Sequence, residues 1–249
     1  MKQSTKFNAA ILIIGNEILS GRTQDTNTST IAQWLNSIGV KVNEVRVIPD
    51  IEDTIIETIN HLRKVHNYVF TTGGIGPTHD DITAQSISKA FNLEYEIHKE
   101  AFNILEAYYK EGEFNEGRQK MAWMPRHANL IPNPTSGAPG FNVENIFCLP
   151  GVPSILKSML GGLTNSIIGG EPILSHTISL RTVESEIANS LTKVQNNNKD
   201  VEIGSYPFFQ AGKLGVSIVI RSENQFKIDK CSSEILEFVN QKKIEEVVR

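Results

Sequence analysis

The segment Thr71-Thr72-Gly73-Gly74-Ile75-Gly76-Pro77-Thr78-His79-Asp80-Asp81-Ile82-Thr83 concentrates the residue types that handle phosphate. Three glycines let a backbone approach a ligand closely and turn several N–H groups toward it, which suits an anion. Asp80 and Asp81 directly after such a cradle would repel that anion unless a divalent cation is present. Hard carboxylate oxygens suit Mg²⁺ or Mn²⁺. The same loop reads equally as a glycine-rich connection whose Asp80 or Asp81 caps a following helix. Gly15-Asn16-Glu17-Ile18-Leu19-Ser20-Gly21 and Pro49-Asp50 also close apolar runs. If their strands are parallel, Glu17 and Asp50 join Asp80 and Asp81 at one rim. Asp50 has a structural alternative as the cap of the helix it precedes. His79 reads as a solvated loop histidine, and the other histidines show no ligand spacing.

These loops require a particular scaffold. Ala9 to Ile14 is a continuous apolar run closed by Gly15, the pattern of a strand buried on both faces of a parallel sheet. Thr28 or Ser29 can cap a helix with Ile31, Leu35 and Ile38 on one face and Gly39 past its end. A strand over Val40 to Ile48 follows, then a helix on Ile51, Ile55, Ile59 and Leu62, then a strand from Tyr68 into the glycine segment. This order predicts an α/β, doubly wound, mostly parallel sheet with ligands at the carboxyl ends of its strands. Further helices are expected over Ile82 to Phe91 and Lys99 to Lys110, the latter running into a loop over Glu111 to Gly117. Short strands are expected at Asn129 to Ile131 and Ile146 to Leu149, and Ser154 can cap a helix through Leu160. Gly137 and Gly140 lie in a Gly/Pro loop, as do Pro150 and Gly151, and both loops read locally as turns.

Gly169-Gly170-Glu171-Pro172 marks the expected boundary, giving domains over 1–170 and 171–249. The second should be a small α+β unit: strand His176 to Thr182, helix Ser185 to Lys193, polar loop Asn196 to Asp200, strands Val201 to Phe208 and Lys213 to Arg221, helix Ile228 to Gln241.

The chain has 249 residues, with 39% hydrophobic and 21% charged, which excludes a disordered chain. Its net charge of −4 is too mild to imply duplex nucleic acid or an anionic membrane as partner. No apolar stretch reaches membrane-spanning length and no signal-peptide pattern precedes Ala9, so a cytoplasmic protein is expected. Its two cysteines, Cys148 and Cys231, have no metal or disulfide spacing and read as buried thiols.

Gly73 to Thr78 followed by Asp80-Asp81-Ile82-Thr83 resembles the signature of the MoaB/Mog molybdopterin-binding domain family. Gly15 to Gly21, Asn27, Asn133 to Phe141, Leu149 to Pro153 and Thr182-Val183-Glu184-Ser185 resemble the branch at the N-terminus of competence/damage-inducible protein A, the CinA type. The resemblance implies that Asp50 and Asp81 are the functional acidic residues. It implies a ligand site including Asn16, Asn27, Thr72, Gly73, Gly74, Gly76, Thr83, Gly137, Gly140, Pro150 and Gly151. Two activities follow from it. The CinA side implies metal-dependent hydrolysis of a dinucleotide pyrophosphate such as ADP-ribose or FAD, with Mg²⁺, Mn²⁺, Co²⁺ or Ni²⁺ held among Glu17, Asp50, Asp80 and Asp81. The other side implies binding or adenylylation of molybdopterin. A homo-oligomer is implied as well.

The usual Gly-Asp-Glu of the first loop is here Gly15-Asn16-Glu17, one carboxylate fewer. The nicotinamide mononucleotide deamidase domain of longer CinA proteins is not expected, since the chain ends at Arg249. The second domain has a KH-like element order without a Gly-x-x-Gly loop, so RNA binding is not expected.

Overall fold

The computed structural model describes residues 7–210 and 212–247. The chain divides into two compact units, 1–170 and 171–249. In chain order the first contains β1 (Phe7–Ile14), α1 (Asn16–Leu19), α2 (Asn27–Ser37), β2 (Val40–Ile48), α3 (Glu52–Val65), β3 (Tyr68–Thr72), α4 (Thr83–Ala90), β4 (Tyr95–Ile97), α5 (Lys99–Tyr108), α6 (Glu116–Lys120), β5 (Trp123–Pro125), β6 (Asn129–Ile131), β7 (Gly140–Val143), β8 (Ile146–Leu149) and α7 (Pro153–Leu160). Its main sheet has the order β2-β1-β3-β8-β7-β6. The first four strands are mutually parallel, β7 runs antiparallel to β8, and β6 runs antiparallel to β7.

The double-sided apolar run explains why β1 lies inside. Ala10, Leu12 and Ile14 pack with Ile55, Ile59 and Leu62 of α3 and Ile87 of α4. Ala9, Ile11 and Ile13 pack on the opposite face with Ile31 and Leu35 of α2 and Leu156 and Met159 of α7. Successive side chains on a strand point to opposite faces, so every position from Ala9 to Ile14 must be apolar. Chain entry into β2 and then across β1 into β3 creates a topological switch point at the carboxyl ends of β1 and β3. The register Ile14↔Ile48, Ile13↔Thr72 and Thr72↔Leu149 sets four strand ends on one rim.

Several local expectations are corrected. Thr28 and Ser29 do not cap α2; Asp25 Oδ1 accepts from Asn27 N–H at 2.9 Å and from Thr28 N–H at 3.2 Å, so the acidic residue two positions upstream does that work. Ser154 is inside α7, which starts at Pro153, a residue whose fixed φ and missing N–H suit a first helical turn. Gly140 and Phe141 belong to β7 rather than to a loop. The expected loop over Glu111 to Gly117 ends in α6, capped by Asn115 accepting from Arg118 N–H. The antiparallel pair β4–β5 was not expected, because three-residue strands carry no readable alternation.

The second unit contains β9 (Leu174–Leu180), α8 (Glu184–Asn197), β10 (Glu202–Gln210), β11 (Lys213–Ser222) and α9 (Gln225–Gln241). Its sheet is antiparallel in the order β10-β11-β9. Ile178, Val216, Ile218 and Ile220 form its core with Ile187 of α8 and Ile228, Ile235 and Val239 of α9. The helix α8 absorbs part of the expected polar loop because Asn197 still continues it. Among the described residues, no helix is long and apolar enough to cross a membrane.

Both cysteines are free and buried. Burial pushes the Cys148 thiol up to about 12 and the Cys231 thiol up to about 11. Since the thiolate is the reactive form, a disulfide reagent near pH ~8 should leave both untouched in the native protein and titrate both in denaturant. Rapid native modification of either would contradict this packing.

Candidate functional site

The turn after β3 is locked into a shape only glycine allows. Gly73 has φ +102°, and a Cβ there would lie 2.1 Å from the Ile14 carbonyl oxygen. Gly74 has φ +68°, and its Cβ would lie 2.2 Å from Thr83 Oγ1. Gly73 N–H donates to Leu149 O at 3.2 Å, while Thr83 N–H donates to Gly74 O at 2.9 Å. The Thr83 hydroxyl also donates to Gly73 O at 3.0 Å. With both ends of the turn fastened, the N–H groups of Gly74, Ile75 and Gly76 meet no acceptor among the described residues. Successive unpaired amides in such a turn form an anion-binding concavity.

Asp81 closes this cradle from below. Its carboxylate lies against Gly76, where a Cβ would be 2.8 Å from Oδ2. Oδ2 accepts from Thr78 N–H at 2.7 Å and from the Thr78 hydroxyl. α4 begins after Ile82 without a side-chain cap, so neither Asp80 nor Asp81 serves as its cap. The exposed Asp80 is held below the ordinary carboxylate value by a hydrogen bond with the Thr78 side chain first and by backbone N–H second, with His79 and Lys120 adding smaller electrostatic help. His79 itself is almost fully exposed.

At the neighbouring strand ends, Gly15 N–H donates to Ile48 O at 3.2 Å and Asn16 N–H donates to Asp50 Oδ2 at 2.8 Å. Asp50 therefore ties the loop after β1 to the end of β2. It does not cap α3, whose cap position is Ile51. Glu17 folds back over Gly15, with Oε1 2.5 Å from where a Gly15 Cβ would be. Asn27, only 6% exposed, fastens three chain segments. Its Nδ2 donates to Thr72 Oγ1 at 2.9 Å and to Gly151 O at 2.8 Å, and Thr72 Oγ1 donates to Pro150 O at 3.0 Å. Asn27 Oδ1 is buried without a partner among the described residues. A groove of about 350 Å³, its open mouth included, runs here between Glu17, Asp25, Asn27, Thr72, Gly73 and Gly151.

The rim is thus a set of parallel strand ends carrying a glycine amide cradle and two carboxylates, and its sequence matches a known family. Residues 10–176 match the family model "Probable molybdopterin binding domain". The chain belongs to the MoaB/Mog molybdopterin-binding domain family. Within this family, the chain resembles the crystal structure of the protein CinA, of unknown function, from Thermoplasma acidophilum. That likeness has a TM-score of 0.61 at 32% identity and covers 64% of this chain and 96% of that one. A protein of Archaeoglobus fulgidus is 33% identical over 234 residues, covering 94% of this chain and 98% of its own. One from Caldivirga maquilingensis is 35% identical over 210 residues, covering 81% and 82%. Residues 172–248 match the model of the FAD synthase middle domain.

In this MoaB/Mog-type rim the acidic residues expected around a cation, Glu17, Asp50, Asp80 and Asp81, do not form a preformed cluster. Among the described residues, no three His, Cys, Asp or Glu side chains are placed to hold a metal ion together. The physical reason is that Asp50 and Asp81 are each engaged by the backbone of a loop, Asn16 N–H and Thr78 N–H, while Glu17 folds onto Gly15. Two hard carboxylates remain compatible with a divalent cation that also takes oxygens from a ligand's phosphates, the usual coordination of Mg²⁺.

Of the other residues implied by resemblance, Thr72, Thr83 and Asn27 work as fasteners of the rim and Gly140 sits in β7 against Cys148 O. Gly137 has φ +74° and packs under the Tyr108 ring, in a loop that Asn133 folds by accepting from Thr135 and Ser136 N–H. Sequence reasoning missed a wall of the cradle. The cleft holding Gly74, Ile75, Gly76 and Asp81 is also lined by Tyr95, Lys120, Met121 and Trp123. Their only sequence signal was a cation and a tryptophan near one another in an otherwise unremarkable stretch.

Proposed function

We propose that the chain binds a phosphate-bearing adenine dinucleotide at this rim and hydrolyses its pyrophosphate bond, as for ADP-ribose or FAD. The observation that carries this reading is the row of unpaired N–H groups at Gly74, Ile75 and Gly76 beside Asp81. Donors fixed in advance around a phosphate hold it and stabilise the charge that builds as the phosphoanhydride breaks. Water adds to one phosphorus while the bridging oxygen leaves with the other, giving AMP and ribose 5-phosphate from ADP-ribose, or AMP and FMN from FAD. Asp50 and Asp81, from two loops of the rim, are the carboxylates that would hold a divalent cation together with the pyrophosphate oxygens, and Asp81, the one beside the cradle, accepts the proton of the attacking water. A divalent cation bound with the pyrophosphate would supply charge neutralisation.

A second reading is binding or adenylylation of molybdopterin, a ligand that also presents phosphate beside an organic ring; its binding half is supported by the family's own description. One panel separates the two. The protein is incubated with ADP-ribose, FAD, NAD and coenzyme A, with and without Mg²⁺, Mn²⁺, Co²⁺ and Ni²⁺, and adenylate release is followed. Metal-dependent AMP release from at least one dinucleotide is expected. Adenylyl transfer from ATP to molybdopterin, with every dinucleotide left intact, would put the second reading in its place.

A further inference from the structure

The short helix α6 ends on Lys120, the one cation lining the cleft around Gly74, Ile75 and Gly76 among the described residues. Its ammonium donates to the Thr78 carbonyl, inside the loop that carries Asp80 and Asp81. No carboxylate lies within ion-pair distance of it among the described residues. An ammonium has three donors, so two remain for a ligand. Held by a carbonyl and in no direct ion pair among the described residues, it stands beside three unpaired amides. Tyr95, Met121 and Trp123 are among the apolar and aromatic residues that complete the lining.

A lysine in this position is a point charge suited to phosphate, in the way that a lysine accompanies the backbone amides of other phosphate loops. It would do for binding what the rim's carboxylates cannot. We propose that Lys120 is the phosphate-binding cation of the rim, so that a pyrophosphate ligand is bound without metal and only its cleavage requires one. The inference rests on the functional reading above and adds a residue and a division of labour to it.

Calorimetric titration of the full chain with ADP-ribose and with inorganic pyrophosphate, in EDTA, tests it. Wild type should bind both. Lys120→Gln should weaken binding by about tenfold to a hundredfold, the range of a charge-assisted hydrogen bond, with an unchanged melting temperature. Lys120→Arg should recover part of the loss, and added salt should weaken wild type more than the glutamine variant. Equal affinity of wild type and Lys120→Gln overturns the assignment while leaving phosphate binding at the rim intact. Binding by wild type only when Mg²⁺ is added overturns the metal-free step alone. Absence of binding under both conditions removes the functional reading and this inference with it.

Discussion

Replacing Asp81 or Asp50 by asparagine is expected to cut turnover of the pyrophosphate substrate at least about a hundredfold, close to 3 kcal/mol of lost transition-state stabilisation. Stability should hardly change. Asparagine keeps an oxygen that can still accept from Thr78 N–H at position 81 and from Asn16 N–H at position 50, so both loops stay fastened. Neither aspartate caps a helix, which removes the alternative in which the variants merely fray α3 or α4. Asp80→Asn should fall between wild type and these two, because Asp80 is exposed. Steady-state kinetics at saturating Mn²⁺, with thermal melts of the same preparations, check the claim. Wild-type turnover in Asp81→Asn would remove Asp81 from the chemistry, and a fall in melting temperature matching the fall in rate would assign it to the fold.

The second large effect is structural. Gly73→Ala forces a side chain into a left-handed conformation, which costs about 1–3 kcal/mol by itself. It also drives a Cβ to 2.1 Å from the Ile14 carbonyl, a backbone atom of the central strand that cannot step aside. At roughly 2–4 °C per kcal/mol for a chain of this size, a loss upward of about 5 °C in melting temperature is expected. Gly21 is the matched comparison. It has φ +72° but nothing within 4 Å of a built Cβ, so Gly21→Ala should incur only the conformational part. Equal melting temperatures for the two variants would mean that the close approach of β3 to β1 is not what fixes the cradle.

What the sequence made legible follows from how strongly each position is constrained. Ala9 to Ile14 must be apolar on both faces, and that requirement alone announced a buried parallel strand and the rim beyond it. The glycines after β3 announced themselves because two of them have positive φ against solid neighbours. Asp50 was balanced between cap and site on local grounds, and only the fold removed the cap alternative, since its partner Asn16 lies 34 positions away. Asp25 as the real support of α2 escaped notice because Thr28 and Ser29 offered a cap of the usual kind nearer the apolar stripe.

The wall of the cradle was out of reach for a different reason. Lys120 reaches Thr78 across 42 positions of sequence, from the end of a five-residue helix that sits just before the three-residue strand β5. Such short elements have no period to read, and one lysine among 24 Lys and Arg has no local mark. The placement of the rim's carboxylates depends on the same kind of information. Carboxylates placed on one rim by topology need not share a point, and here Asn16 N–H and Thr78 N–H hold Asp50 and Asp81 to separate loops.

The central claim is that a phosphate of the ligand rests on the amides of Gly74 to Gly76, and amide-resolved NMR reads those atoms directly. In a titration of ¹⁵N-labelled protein with ADP-ribose, the resonances of Gly74, Ile75 and Gly76 should show the largest saturable shifts. Saturable shifts confined to other residues, with these three amides unchanged, would contradict the account.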